Sequence, residues 1–173
     1  MAKLCMHSNV FSALRLPPSN PSTSPVESSF SPVSGTISEH LDGDTDYLFE
    51  CKEIYRGPER QYYRPAILRG ALSPLPVKGP QPDEEPRSLE VVCMIGSGKH
   101  QCKSVHEEAE WYNVLKRLQG QYIPHYFGLF NGKINGESAV CLVLSCEGEP
   151  LDPSPEAPEL QRFDMFSKNT RCV

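Results

Sequence analysis

No apolar run in this chain is long enough to cross a membrane or to form the core of a secretion signal, and no stretch gathers lysine and arginine into a basic stripe. The first absence predicts a soluble protein with no membrane partner. The second, together with a net charge of −5 over 173 residues, argues against nucleic acid. No two cysteines are spaced Cys-x-x-Cys. The seven cysteines, at 5, 51, 93, 102, 141, 146 and 172, are odd in number and scattered, and three fall at apolar strand or strand-end positions. That pattern speaks against a disulfide framework and a zinc site. It predicts reduced thiols in an intracellular protein, cytoplasmic or nuclear. The first sixteen residues carry Lys3 and Arg15 and no acid, which leaves a mitochondrial transit peptide as the competing destination.

Catalytic signatures are equally scarce. There is no Gly-x-Ser-x-Gly and no context for a cysteine nucleophile. His7, His40, His100, His106 and His125 are dispersed. His100 and His106 with Cys102 are the one grouping that can be drawn as a metal site, and a loop running into a helix start is the plainer account of it, so no metal is expected. The acidic run Asp83-Glu84-Glu85 reads as a solvated loop.

What is present divides into three parts. Residues 1–44 are rich in serine and proline, as in Pro17-Pro18-Ser19-Asn20-Pro21-Ser22-Thr23-Ser24-Pro25, and are expected to be a disordered tail. Residues 45–152 form the expected domain, with a proline-rich loop at 73–87, and 153–173 a C-terminal tail. Within the domain, Tyr47 to Tyr55 and Tyr62 to Leu72 read as strands. The stretch from Leu89 to Leu151 then reads strand, helix, strand, hairpin, strand and polar turn. On its first strand, Val92 and Met94 face one way and Val91, Cys93 and Ile95 the other. Ser104 with Glu107 makes a capping box, and Val105, Ala109, Trp111, Tyr112, Leu115 and Leu118 supply the apolar face of the helix that follows. Gly120 stops it, and Lys116 and Arg117 suit its C-terminal end. The Trp111 and Tyr112 pair is expected to pack in a core or an interface. Asn131-Gly132 and Asn135-Gly136 mark a hairpin, and Ala139 to Leu144 is apolar enough to be a central strand.

The predicted fold class is α+β: an antiparallel sheet of about five strands carrying one helix. The residues Val91-Val92-Cys93-Met94-Ile95, Glu108-Ala109-Glu110-Trp111-Tyr112, Leu115, Leu118-Gln119-Gly120, Ile123-Pro124, Tyr126-Phe127-Gly128 and Cys141-Leu142-Val143-Leu144 through Gly148-Glu149-Pro150-Leu151 resemble the small N-terminal lobe of a eukaryotic protein kinase. More narrowly, the chain is similar to the kinase-like proteins abundant in mushroom-forming fungi. The resemblance implies a kinase-like small lobe, with Met94 at the position of the strand lysine that holds phosphates and Glu108 at the helix glutamate that pairs with it. It also implies Val92 in the roof of an adenine pocket, Leu144 at the gatekeeper position and Ser145, Cys146 and Glu147 in the hinge.

The departures decide the expected activity. A thioether at Met94 cannot carry the positive charge that phosphates require, and Glu108 must then reach solvent or another cation such as Lys99 or Arg69. Where a Gly-rich loop belongs, the chain reads Arg56-Gly57-Pro58-Glu59-Arg60-Gln61-Tyr62-Tyr63, with one glycine and a proline that has no N–H. No His-Arg-Asp loop and no Asp-Phe-Gly is present, and Asp164-Met165-Phe166 is no substitute. The expectation is therefore a truncated, pseudokinase-like domain without catalytic residues or a required cofactor, weak ATP binding apart. It would act as a noncatalytic module that binds another protein through its helix or an exposed lobe face. The competing reading, from a different class, is a fragment or subunit of an ATP-dependent protein kinase. A third is a truncated copy with no retained activity.

Overall fold

Seven strands close on themselves in the computed structural model, which describes residues 2–7, 10, 14, 29–33, 36–38, 40–56, 64–75 and 88–147. They are β1 (Leu4–Met6), β2 (Ser29–Pro32), β3 (Tyr47–Arg56), β4 (Ala66–Pro74), β5 (Leu89–Ser97), β6 (Tyr126–Ile134) and β7 (Glu137–Ser145). A single long helix, α1 (Gly98–Val114), follows β5, and a 3-10 turn at Lys116–Leu118 follows α1. Around the barrel the order is β1-β2-β6-β7-β5-β4-β3. All neighbours are antiparallel except β1 and β3, which run parallel, so the sheet is mixed.

This overturns the expected kinase-like small lobe with its open sheet of about five antiparallel strands. The two additional strands come from the first 44 residues, the stretch read as a solvated tail. Leu4 pairs with both Phe30 and Tyr47, and Pro32 pairs with Phe130, so β1 and β2 bridge what would otherwise be two free edges. The physical reason is burial: Leu4, Met6, Val10 and Phe30 are within 1% of fully buried, and each such side chain contributes about 1.5–3 kcal/mol relative to exposure. Closure also needs room. Phe30 lies over Gly132, where a Cβ would fall 2.6 Å from the ring, so any side chain at 132 would collide with it. Asn131-Gly132, read as a turn, is thus strand interior, and the hairpin turns at Asn135-Gly136, both at positive φ.

The barrel interior is filled by Leu4, Met6, Phe30, Phe49, Leu68 and Val91 with their neighbours. On β5 the alternation holds: Val91, Cys93 and Ile95 point into the barrel, while Met94 points outward to a second cluster. That second cluster, under α1, contains Val105, Ala109, Tyr126, Leu129, Val140, Leu142 and Leu144. β7 serves both, so Ala139 to Leu144 is buried on both faces, which accounts for its unbroken apolar run.

The helix starts earlier than its apparent capping box. Ser97 is the N-cap, and its backbone N–H donates to the Gln101 side-chain oxygen at 3.0 Å. Gly98, at φ +72°, turns β5 directly into α1. Ser104 is therefore mid-helix and exposed, and Glu107 pairs with Lys103 at 3.5 Å instead of reaching back to a cap. The 57–63 segment, most of the 73–87 loop and the 153–173 segment lie outside the described residues.

Candidate functional site

The sites predicted from the resemblance fall on the outer face of the barrel, around and beside α1. Met94 is half-buried and packs into the cluster beneath the helix. Glu108 is half-buried on the helix and has no ion-pair partner among the described residues. Burial raises the phenol of Tyr112 above its ordinary range, and the Glu108 carboxylate adds to that rise. Of the two cations considered for Glu108, neither pairs with it. Arg69 is committed elsewhere: its Nη2 meets Glu90 Oε2 at 2.9 Å, and its Nη1 lies 3.8 Å from Glu53 Oε2 and donates to Tyr55 Oη at 3.4 Å. Hydrogen bonding to Arg69 holds the Glu90 carboxyl below its usual value, and the same bond raises the Arg69 guanidinium further.

The pairing of β4 with β5 sets Arg69 opposite Val92, so this charged group lies on the same outer face as the predicted adenine roof. Lys52 extends it, 3.6 Å from Glu90. Val92 is half-buried and pairs with Leu144, which is buried under α1. The predicted hinge is tied into the fold. The Ser145 N–H donates to the His125 carbonyl at 2.9 Å, and the Cys146 N–H donates to the Glu90 carbonyl at 3.1 Å. Ser145 Oγ accepts from the His125 N–H at 2.8 Å and donates to Glu147 Oε1 at 2.7 Å. Both backbone N–H groups at 145 and 146 are thus engaged internally. The 57–63 segment and the Asp164-Met165-Phe166 triplet lie outside the described residues.

Metal chemistry finds no constellation. Among the described residues no three His, Cys, Asp or Glu side chains converge on a point that a metal ion would fill. The Cys102 thiol is turned to the carbonyls of Gly96 and Ser138, at 3.6 and 3.5 Å. Cys93 and Cys141 are free thiols in the barrel interior, and burial pushes the Cys93 thiol well above its ordinary range, reinforced by its contact with Cys141.

The feature that sequence reasoning missed is on the far side of the helix. Val105, Ala109 and Tyr112 face the barrel, as read. Trp111 and Val114 do not. At 100° per residue they lie about 120° and 180° around the helix from Val105, and they are 62% and 74% exposed. Leu118, in the 3-10 turn that follows, is 38% exposed and Tyr122, in the turn beyond, 72%. Trp111 and Tyr112 are therefore split, one outward and one inward. The i, i+3 spacing of Trp111 and Val114 was the signal: a second apolar stripe away from the first. Glu107 and Glu110 flank the N-terminal half of this ridge, and Lys116 and Arg117 its C-terminal end, all exposed. Gln119 anchors the base of the ridge: its Nε2 donates to the Tyr112 carbonyl at 2.8 Å, and its Oε1 accepts from the Tyr126 N–H at 3.0 Å.

No protein-family model matches this chain, and no curated protein and no solved structure is similar to it.

Proposed function

We propose that this chain is a noncatalytic interaction module that binds another protein through the outer ridge of α1. One observation carries the reading: Trp111 and Val114 stand exposed on the outer face of α1, and Leu118 and Tyr122 are exposed in the segment that follows it. Grouped large apolar side chains on a surface mark contact sites, and tryptophan and tyrosine are the residues that most often anchor them. The barrel supports the choice of the helix. Among the described residues every strand has a neighbour on both sides, so less sheet edge is left for strand addition than in an open sheet, which favours a helix face as the contact. Among the described residues no helix is long and apolar enough to cross a membrane. The juxtaposed free thiols of Cys93 and Cys141 fit an intracellular, reducing compartment.

The test uses the whole 173-residue chain. Its thermal transition is followed with ATP, with and without Mg²⁺, and the fluorescence of Trp111, the single tryptophan, is titrated with iodide. The expected outcome is a transition unmoved by Mg²⁺-ATP and a red-shifted, readily quenched Trp111 in dilute solution. A Mg²⁺-dependent upward shift overturns the noncatalytic half, because only a ligand that binds the folded state raises its stability. A blue-shifted Trp111 that iodide does not reach in the dilute monomer overturns the ridge as a contact surface.

A further inference from the structure

We infer that the protein bound by this ridge is a second copy of the same chain, joined by antiparallel packing of the two α1 helices about a two-fold axis. The inference rests on the interaction reading above and adds the identity of the partner.

The argument is the distribution of charge along the ridge. Glu110 precedes the exposed apolar pair Trp111 and Val114, and Lys116 and Arg117 come after it. Among the described residues none of these three charges has an ion-pair partner, whereas Glu107 is already neutralised by Lys103. A surface that is acidic at one end, apolar in the middle and basic at the other is complementary to itself when turned end for end. A two-fold contact requires that property, because each residue i that meets j must also be met by j.

The spacing fits. With the axis passing between Asn113 and Val114, Glu110 of each copy lies level with Lys116 and Arg117 of the other, about 5 Å along the helix from the axis on each side at 1.5 Å per residue. Trp111 of each copy then falls between Val114 and Leu118 of the other, a tryptophan seated in an apolar notch with a cation beside it. The helix dipoles run opposite ways in this arrangement, which is the favourable sense. Four apolar side chains per copy make a contact at the small end of specific interfaces, so the association is weak and reversible.

The test is sedimentation of the full chain over a range of concentrations, with charge-reversal variants. The wild type is expected to shift from one chain mass toward two, and the Trp111 emission to move to the blue over the same range. Glu110→Lys alone gives a chain whose unpaired charges flanking the ridge are all positive, and the Lys116→Glu, Arg117→Glu double variant one in which they are all negative. Each alone is expected to lose at least tenfold in self-association with its thermal transition unchanged, since these side chains make no ion pair within the fold. Mixed in equal amounts they are expected to associate with each other at least as well as the wild type, because in the mixed pair every acid again meets a base. A wild type that stays monomeric at high concentration, with Trp111 still open to iodide, overturns the self-association and leaves the ridge to a different protein. Variants that self-associate as the wild type does, or that fail to pair when mixed, overturn the antiparallel geometry.

Discussion

Gln119 and Tyr126 are joined by a hydrogen bond that holds the end of the helix to the barrel: the Gln119 side-chain oxygen accepts from the Tyr126 N–H at 3.0 Å while its amide nitrogen donates to the Tyr112 carbonyl at 2.8 Å. Tyr112 and Tyr126 stack in the same place, ring centroids 6.2 Å apart. One side chain therefore closes the last turn of α1 and starts β6. Gln119→Ala leaves the N–H of a buried residue and a helix carbonyl without these partners, and is expected to cost about 1–3 kcal/mol. Urea unfolding measures the loss, and amide exchange at Tyr126 is expected to speed up beyond what the global change explains.

Phe30 and Gly132 test the barrel seam. Gly132→Ala forces a methyl into the Phe30 ring and is expected to destabilise by about 1–3 kcal/mol. Phe30→Ala, at a fully buried position, is expected to cost about 3–5 kcal/mol. The two together are expected to cost less than their sum, because a cavity at 30 accepts the methyl at 132. Additive losses in a double-mutant cycle would mean the two residues do not touch.

The rotation of α1 has its own check. Trp111→Ser is expected to change monomer stability by no more than about 0.5 kcal/mol, since the ring is largely in solvent. Tyr112→Ala, next door, is expected to cost about 2–4 kcal/mol, since it removes a ring packed on the second cluster. Thermal unfolding at a concentration where the chain is monomeric separates the two cases, and equal losses would place both rings in the core.

Stability is expected to fall at both ends of the pH range. Glu90 has its carboxyl lowered by Arg69, so the folded state binds fewer protons there than the unfolded one, and the contribution is present above the ordinary value of 4.5 and lost as the pH drops through the lower folded value. Glu90→Gln is expected to flatten that acid limb. Cys93 has its thiol raised above 9.0, chiefly by burial. Its contribution is full below 9.0 and is lost as the pH climbs toward the raised value, since the unfolded chain releases that proton first. Cys93→Ala is expected to flatten the alkaline limb, and unfolding midpoints from pH 3 to 10.5 follow both.

How much of this was legible depended on the length of each element. β3, β4, β5, β6 and β7 have nine or ten residues each, long enough for alternation or a doubly buried run to stand out. β1 and β2 have three and four, and β2 is Ser-Phe-Ser-Pro. So short a segment carries no period, and only Phe30 betrays its burial. The helix start was obscured because Ser104 and Glu107 have the right spacing for a cap that Ser97 and Gln101 in fact supply. Of the candidate site, the shared face of Val92 and Met94 followed from strand alternation, and the structure shows that face to be the outer one. The ridge did not, because hydrophobicity alone places Trp111 in the buried stripe, although its angle around the helix sets it away from that stripe.

The long reach of the closing strands has a consequence for how the chain assembles. Leu4 must meet Tyr47, and Ser31 must meet Asn131, across roughly a hundred intervening residues in the second case. Contacts so distant in sequence are slow to form, since a large loop must be closed before any burial is gained. During synthesis β2 has no β6 to pair with until most of the chain has left the ribosome. Until β2 and β6 are seated against each other, each has a bare edge able to recruit a strand from a neighbouring chain. The pairing of β2 with β6 is thus among the last to form, and the interval before it forms is when this protein is most exposed to aggregation.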